Sequence, residues 1–214
     1  MYFTHTSVFL RRSLLALALS ACASLASAAT YHVELDTSTF TDTGWIDLQF
    51  NPGNSDSALA HVSLSDFVGF GDSASAQTIG SVSGSLASGY TIANDDPGGL
   101  NDLFHAVNYG GTISFNVTFS GAADPAQTAS SSVFSVALYN FAQTAVLGTT
   151  DPYGSLVQLN WAPAVTAGAG SVVATPLVNE IPTVAAAVPE PSTWLLLGAG
   201  LGLIGLARRR QAAV

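Results

Sequence analysis

An all-β fold, a jelly-roll-like β-sandwich with one short helix, is predicted for residues 29–161 from three features. Short runs of alternating apolar and polar residues recur along the stretch, loops rich in Gly, Ser, Asn and Asp separate them, and a single segment carries a helical period. The run YHVELD (Tyr31 to Asp36) alternates with period 2, as a half-buried strand does. WIDLQF (Trp45 to Phe50) does the same and stops at the turn-forming Asn51-Pro52-Gly53-Asn54. Further runs at 58–67, 77–86, 89–93, 111–119, 132–140 and 155–161 bring the expectation to about eight strands. Between them, Leu100, Leu103, Phe104 and Val107 recur at i, i+3, i+4 and i+7, which predicts a short helix over 99–107 capping one end of the sandwich.

After Trp161 the composition changes. Residues 162–188 are dominated by Ala, Val, Thr, Gly and Pro and carry one charge, Glu180. An edge strand at Gly170–Thr175 fits this composition, and the remainder reads as an extended spacer between the domain and the C-terminal segment.

Charge is sorted along the chain. Its five basic residues are Arg11, Arg12, Arg208, Arg209 and Arg210, and its 14 acids all lie between Glu34 and Glu190. A body without Lys or Arg has no means of neutralising phosphate, which excludes nucleic acid as a partner and disfavours anionic membrane surfaces. Cations, neutral glycans and other proteins remain. The one cysteine, Cys22, falls outside the body, so a hydrophobic core must stabilise it without a disulfide.

The N-terminus reads as a secretion signal over 1–28 with a signal helix. Arg11 and Arg12 form the positive region, Leu14 to Leu19 and on to Leu25 the apolar region, and Ala26-Ser27-Ala28 the small residues of a cleavage site. Signal peptidase is expected to cut after Ala28 or Ala29. A competing reading comes from Leu19-Ser20-Ala21-Cys22, which resembles a bacterial lipobox and would make Cys22 a lipid-anchored first residue.

The C-terminus has three parts over 189–214: Pro189-Glu190-Pro191, an apolar stretch at about 193–207 that begins at Thr193-Trp194, and Arg208-Arg209-Arg210. The stretch is shorter than the roughly 20 residues that cross a bilayer comfortably, yet it predicts one transmembrane helix with the arginines cytoplasmic and the body outside. Gly198, Gly200, Gly202 and Gly205 weaken it. The two prolines keep the motif extended and out of the helix. This tail resembles the PEP-CTERM sorting signal of Gram-negative bacteria that make exopolysaccharide. The resemblance implies recognition of Pro189, Glu190 and Pro191 by an exosortase, with 193–207 as the membrane stop and Arg208–Arg210 as the retaining charge. It further implies removal of the tail and delivery from the inner membrane to the cell surface or outside the cell. The body resembles a group of PEP-CTERM proteins of unknown function through Tyr31-His32-Val33, Gly44 to Gly53 and Thr149 to Leu156, which adds no activity.

Chemistry is sparse in the body. Gly80-Ser81-Val82-Ser83-Gly84 lacks a serine at its centre and fails the nucleophile-elbow spacing. His32, His61 and His105 are isolated and read as strand or helix surface residues, without the spacing of a zinc site. Asn94-Asp95-Asp96 with Asp102 is the densest oxygen cluster and a weak calcium candidate, although Asp-Asp-Pro-Gly also makes a good turn. With Glu nearly absent and Trp45 and Trp161 the body's only tryptophans, paired-carboxylate glycoside hydrolysis is not expected, and no cofactor is. The leading expectation is a structural or interaction protein of a surface or biofilm matrix. The alternatives are a glycan-binding module, which exposed Trp or Tyr would favour, and a lipoprotein anchored through Cys22.

Overall fold

A computed structural model of the chain describes residues 29–96 and 98–186. Among these residues twelve strands form two antiparallel sheets of six, with no α-helix. The first sheet runs, in spatial order, β12 (Pro182–Ala186), β1 (Ala29–Asp36), β8 (Thr112–Gly121), β3 (Ala60–Val68), β6 (Gly89–Ala93), β5 (Val82–Ser85). The second runs β11 (Ser171–Pro176), β10 (Val157–Ala162), β9 (Ser132–Asn140), β2 (Thr43–Pro52), β7 (Asp102–Asn108), β4 (Gln77–Ile79). Strand 1 pairs with 8, 2 with 7 and 3 with 6, the returning pattern of a jelly roll, and the last four strands widen both sheets on one side.

The alternation read from the sequence sets which side chains enter the core. Val33, Leu35, Ile113, Phe115, Val117 and Phe119 line the first sheet, and Ile46, Leu48, Phe50, Phe134, Val136 and Leu138 the second, all fully buried. Phe119 meets Phe50 and Phe134 edge to face at 6.0 and 6.3 Å, joining the sheets at their centre. Each such pair adds about 0.5–1.5 kcal/mol beyond its area burial. Trp161 is also fully buried, and its indole Nε1 donates to Ala169 O at 2.6 Å. Gly121 and Gly168 exchange both backbone hydrogen bonds, so the loop after β10 is fastened to the end of β8. A Cβ on Gly121 would overlap the Trp161 ring, which explains a glycine at that position.

Two sequence expectations are corrected. Residues 102–108 are a strand, not the helix expected over 99–107. Leu103, His105 and Val107 are buried between the sheets, while Asp102, Phe104 and Ala106 lie on the opposite face. The helical spacing arose because both faces of this strand carry apolar side chains. The second correction concerns 162–188, which is mostly not a spacer. Residues 171–176 form the edge strand the composition permitted, and 182–186 form another, so the domain runs to Ala186 rather than ending at 161. Small residues on both faces of β11 and β12 hid the period-2 signal. Val172, Ala174 and Val184 nevertheless pack against the core.

Candidate functional site

Both segments expected to be processed leave the domain at one corner. β1 starts at Ala29, the Cα partner of Phe119, and β12 ends at Ala186, the Cα partner of Tyr31. Cys22, Ala28, Pro189, Glu190, Pro191, the expected membrane segment at about 193–207, and Arg208, Arg209 and Arg210 lie outside the described residues. Among the described residues, no helix is long and apolar enough to cross a membrane.

The calcium candidates do not form one cluster. Asn94 is buried and its side chain is fully engaged: Oδ1 accepts from Ala60 N at 2.8 Å, and Nδ2 donates to Ala58 O at 2.8 Å and Ser132 Oγ at 2.7 Å. It ties β3 and β9 to the turn that follows β6. Asp96 accepts from Gly98 N at 3.2 Å and caps the following turn. Asp95 and Asp96 border an open cleft of about 530 Å³ with Pro52, Asn54 and Leu59. Asp102 stands apart from them, on the outer face of the second sheet, and Asp42 lies beyond the far end of β2. Among the described residues no three His, Cys, Asp or Glu side chains converge as metal ligands.

Asp102 instead meets Asp47, a pairing that sequence reasoning missed. Gln49 is the Cα partner of Asp102 and Phe104 that of Asp47, so the two carboxyls are diagonal neighbours on the outer face. Both residues are less than 10% exposed, and Asp47 Oδ1 and Asp102 Oδ1 are buried with no hydrogen-bond partner among the described residues. Gln49 Nε2 donates to Asp47 Oδ2 at 2.8 Å, and Asn51 Nδ2 donates to Gln49 Oε1 at 3.1 Å. Burial pushes both acids above the usual carboxylate range. For Asp47 the neighbouring Asp102 carboxyl and the Gln49 amide moderate the rise, while for Asp102 the neighbouring Asp47 carboxyl and its charge add to it, taking it to about 8. Asp102 therefore keeps its proton at neutral pH, which spares the buried pair a second negative charge. Neither strand's own sequence signals this, because the pair exists only once β2 and β7 are in register.

Aromatic rings flank the pair. Trp45 stacks on Phe104 at 5.2 Å with an interplanar angle of 8°, and Phe104 meets Tyr139 at 5.5 Å. Burial raises the Tyr139 hydroxyl above its ordinary range, and the charges of Asp47 and Asp102 raise it further. Of the two body tryptophans, Trp161 is wholly interior, whereas Trp45 is partly exposed on this face. His105, expected at a surface, is fully buried between the sheets, with Nδ1 bonded to Ala106 O at 2.9 Å and rings of Phe70 and Tyr90 around it. His61 is exposed on β3, and His32 is bonded through Nδ1 to Asn116 Oδ1 at 2.8 Å.

No curated protein and no solved structure matches the chain. A family model does match beyond the last strand, over residues 187–211, and its description is the PEP-CTERM protein-sorting motif. That stretch holds the Pro-Glu-Pro element, the apolar run and the triple arginine, and it starts one residue after β12 ends. The chain thus carries a PEP-CTERM sorting motif, which marks it as an exported protein that passes through a membrane-anchored stage and is processed by exosortase.

Proposed function

We propose that this chain is a non-enzymatic cell-surface or extracellular-matrix protein, displayed by exosortase processing and working through surface contacts of its sandwich, in a biofilm or exopolysaccharide setting. The observation that carries this reading is the pairing of β12 with β1. It makes the domain complete between Ala29 and Ala186, so both targeting segments can be removed without breaking a strand. The composition of the body agrees, since it offers no cationic surface that would hold it to the anionic membrane after release. The neighbouring carboxyls Asp47 and Asp102 are more than nine-tenths buried on the sheet face, an arrangement suited to structure rather than to two solvent-reaching acid and base roles.

Deleting residues 189–214 and locating the product by fractionation tests the reading. The truncated chain is expected to miss the surface and matrix fraction that the full chain reaches. If both forms arrive in the same fraction, sorting through the tail is wrong.

A further inference from the structure

Opposite the corner from which the chain leaves, the loop before β2 and the turn after β9 enclose an open cleft of about 520 Å³. Tyr109 forms its floor and is held rigidly: its hydroxyl donates to Tyr139 O at 2.6 Å and contacts Trp45 O at 3.1 Å, and Phe40 packs edge-on against its ring at 5.6 Å. One lip carries Phe141, whose ring is 71% exposed although its carbonyl is pinned by Trp45 Nε1 at 3.0 Å. The other lip carries the exposed side chains of Thr41, Asp42 and Thr43.

Both lips hold unusual backbone. Asp42 has φ of 69° and Gln143 has φ of 59°, a left-handed conformation that non-glycine residues rarely adopt. Such geometry persists only where surrounding contacts enforce it. At Gln143 the enforcing group is Asn140, whose Oδ1 accepts from Thr144 N at 2.8 Å and whose carbonyl accepts from Gln143 N at 2.9 Å. The result is an exposed aromatic ring set on a braced turn, in a cleft also lined by a carboxylate and threonine hydroxyls.

A pyranose ring presents this combination in mirror form, with an apolar C–H face for an aromatic ring and equatorial hydroxyls for a carboxylate to accept. Charge narrows the class. Residues 29–186 hold every acid except Glu190 and no Lys or Arg, so an anionic ligand would meet repulsion with no counterion. We propose that this cleft binds a neutral glycan, with Phe141 as the stacking platform and Asp42 as the acceptor for its hydroxyls. The proposal rests on the sorting reading only for its outward placement, because the cleft lies at the end of the sandwich away from Ala29 and Ala186.

The test is binding of the detergent-solubilised full chain to immobilised neutral glucans and galactans, with anionic alginate and the detergent micelle as controls. The expected result is retention on at least one neutral glycan, none on alginate, and a loss of about tenfold or more in F141A and in D42A. Tyr153→Ala removes a ring that is 85% exposed and lies outside this cleft, and is expected to bind like the unaltered chain. Circular dichroism confirms that each variant is folded. No retention on any neutral glycan, preference for alginate, or unchanged binding by F141A and D42A overturns the proposal, as does finding that the cleft takes only a protein. A chain that binds glycan but ignores its tail refutes sorting alone, and a correctly sorted chain that binds none refutes the glycan site alone.

Discussion

The carboxyl of Asp102 on β7 is the diagonal neighbour of the carboxyl of Asp47 on β2, and the two lie on one sheet face with both residues nearly buried. One proton between them removes a like-charge repulsion that the surroundings could not screen. Gln49 donates to Asp47 and the Tyr139 hydroxyl lies in the field of both acids, and neither brings a positive charge.

That arrangement makes stability depend on pH. The Asp102 pKa rises on folding from 3.8 to about 8, and that of Asp47 also rises, so the folded state holds protons that the unfolded state has released. Stability is therefore highest below the unfolded value and declines as pH climbs through the window between roughly 4 and 8. Above that window Asp102 is charged beside Asp47 and its contribution is lost. Thermal melts across pH 4–9 are expected to show this fall. D102N, whose amide replaces the shared proton with a permanent N–H donor, is expected to flatten it and raise the alkaline Tm by roughly 2–4 °C. A Tm that rises steadily with pH in the unaltered protein would contradict the shared proton.

How far the sequence reveals this fold depends on what each strand shows on its two faces. β8 and β2 alternate between apolar core positions and polar outer ones, even where Asp47 and Ser114 are themselves covered, and both are legible. β7 carries a helical spacing because Phe104 puts an apolar ring on the outer face, where it stacks on Trp45. β11 and β12 were read mainly as linker because Ala, Val and Thr occupy both of their faces. The tail was legible for the opposite reason, since its proline, apolar and arginine parts act by local order and need no partner strand. The acid pair and the distal cleft join residues far apart in sequence, such as Asp42 and Phe141, and no single segment announces either.

Tyr109 is expected to hold three strand ends together. Burial pushes its hydroxyl up to about 12, and that hydroxyl reaches the carbonyls of Trp45 on β2 and Tyr139 on β9. Tyr109→Phe leaves the Tyr139 carbonyl short of a donor at a nearly unchanged ring volume, which should cost about 1–3 kcal/mol. Chemical denaturation with an unaltered m-value would report it. A variant as stable as the parent would mean that water replaces the hydroxyl.

Cleavage after Ala28 would leave Ala29 as the first residue, which is also the first residue of β1 and the partner of Phe119. Intact-mass analysis of the mature chain is expected to place its N-terminus at Ala29 or Thr30, with Cys22→Ala exported as efficiently as the parent. A lipid-modified Cys22 at the mature N-terminus would instead make the protein a lipoprotein, with residues 23–28 joining the lipid to β1.

The position of the domain's true end gives the sharpest contrast between composition and structure. On composition the body could stop at Trp161. In the fold, β12 covers β1 over Tyr31 to Leu35, and Ile181 packs against the core beside Gly148. A chain ended after Ala186 is expected to melt within about 1 °C of the untruncated chain, because no strand is lost. Ending it after Glu180 removes β12 and bares the hydrogen-bonding edge of β1, and a fall of several degrees with a tendency to aggregate is expected. Ending it after Trp161 also removes β11 and the Ala169 carbonyl that accepts from the Trp161 indole, leaving a buried donor unpaired. That last form should fail to give a cooperative transition. Cooperative melting of the 29–161 fragment at the parent temperature would return β11 and β12 to the status of linker.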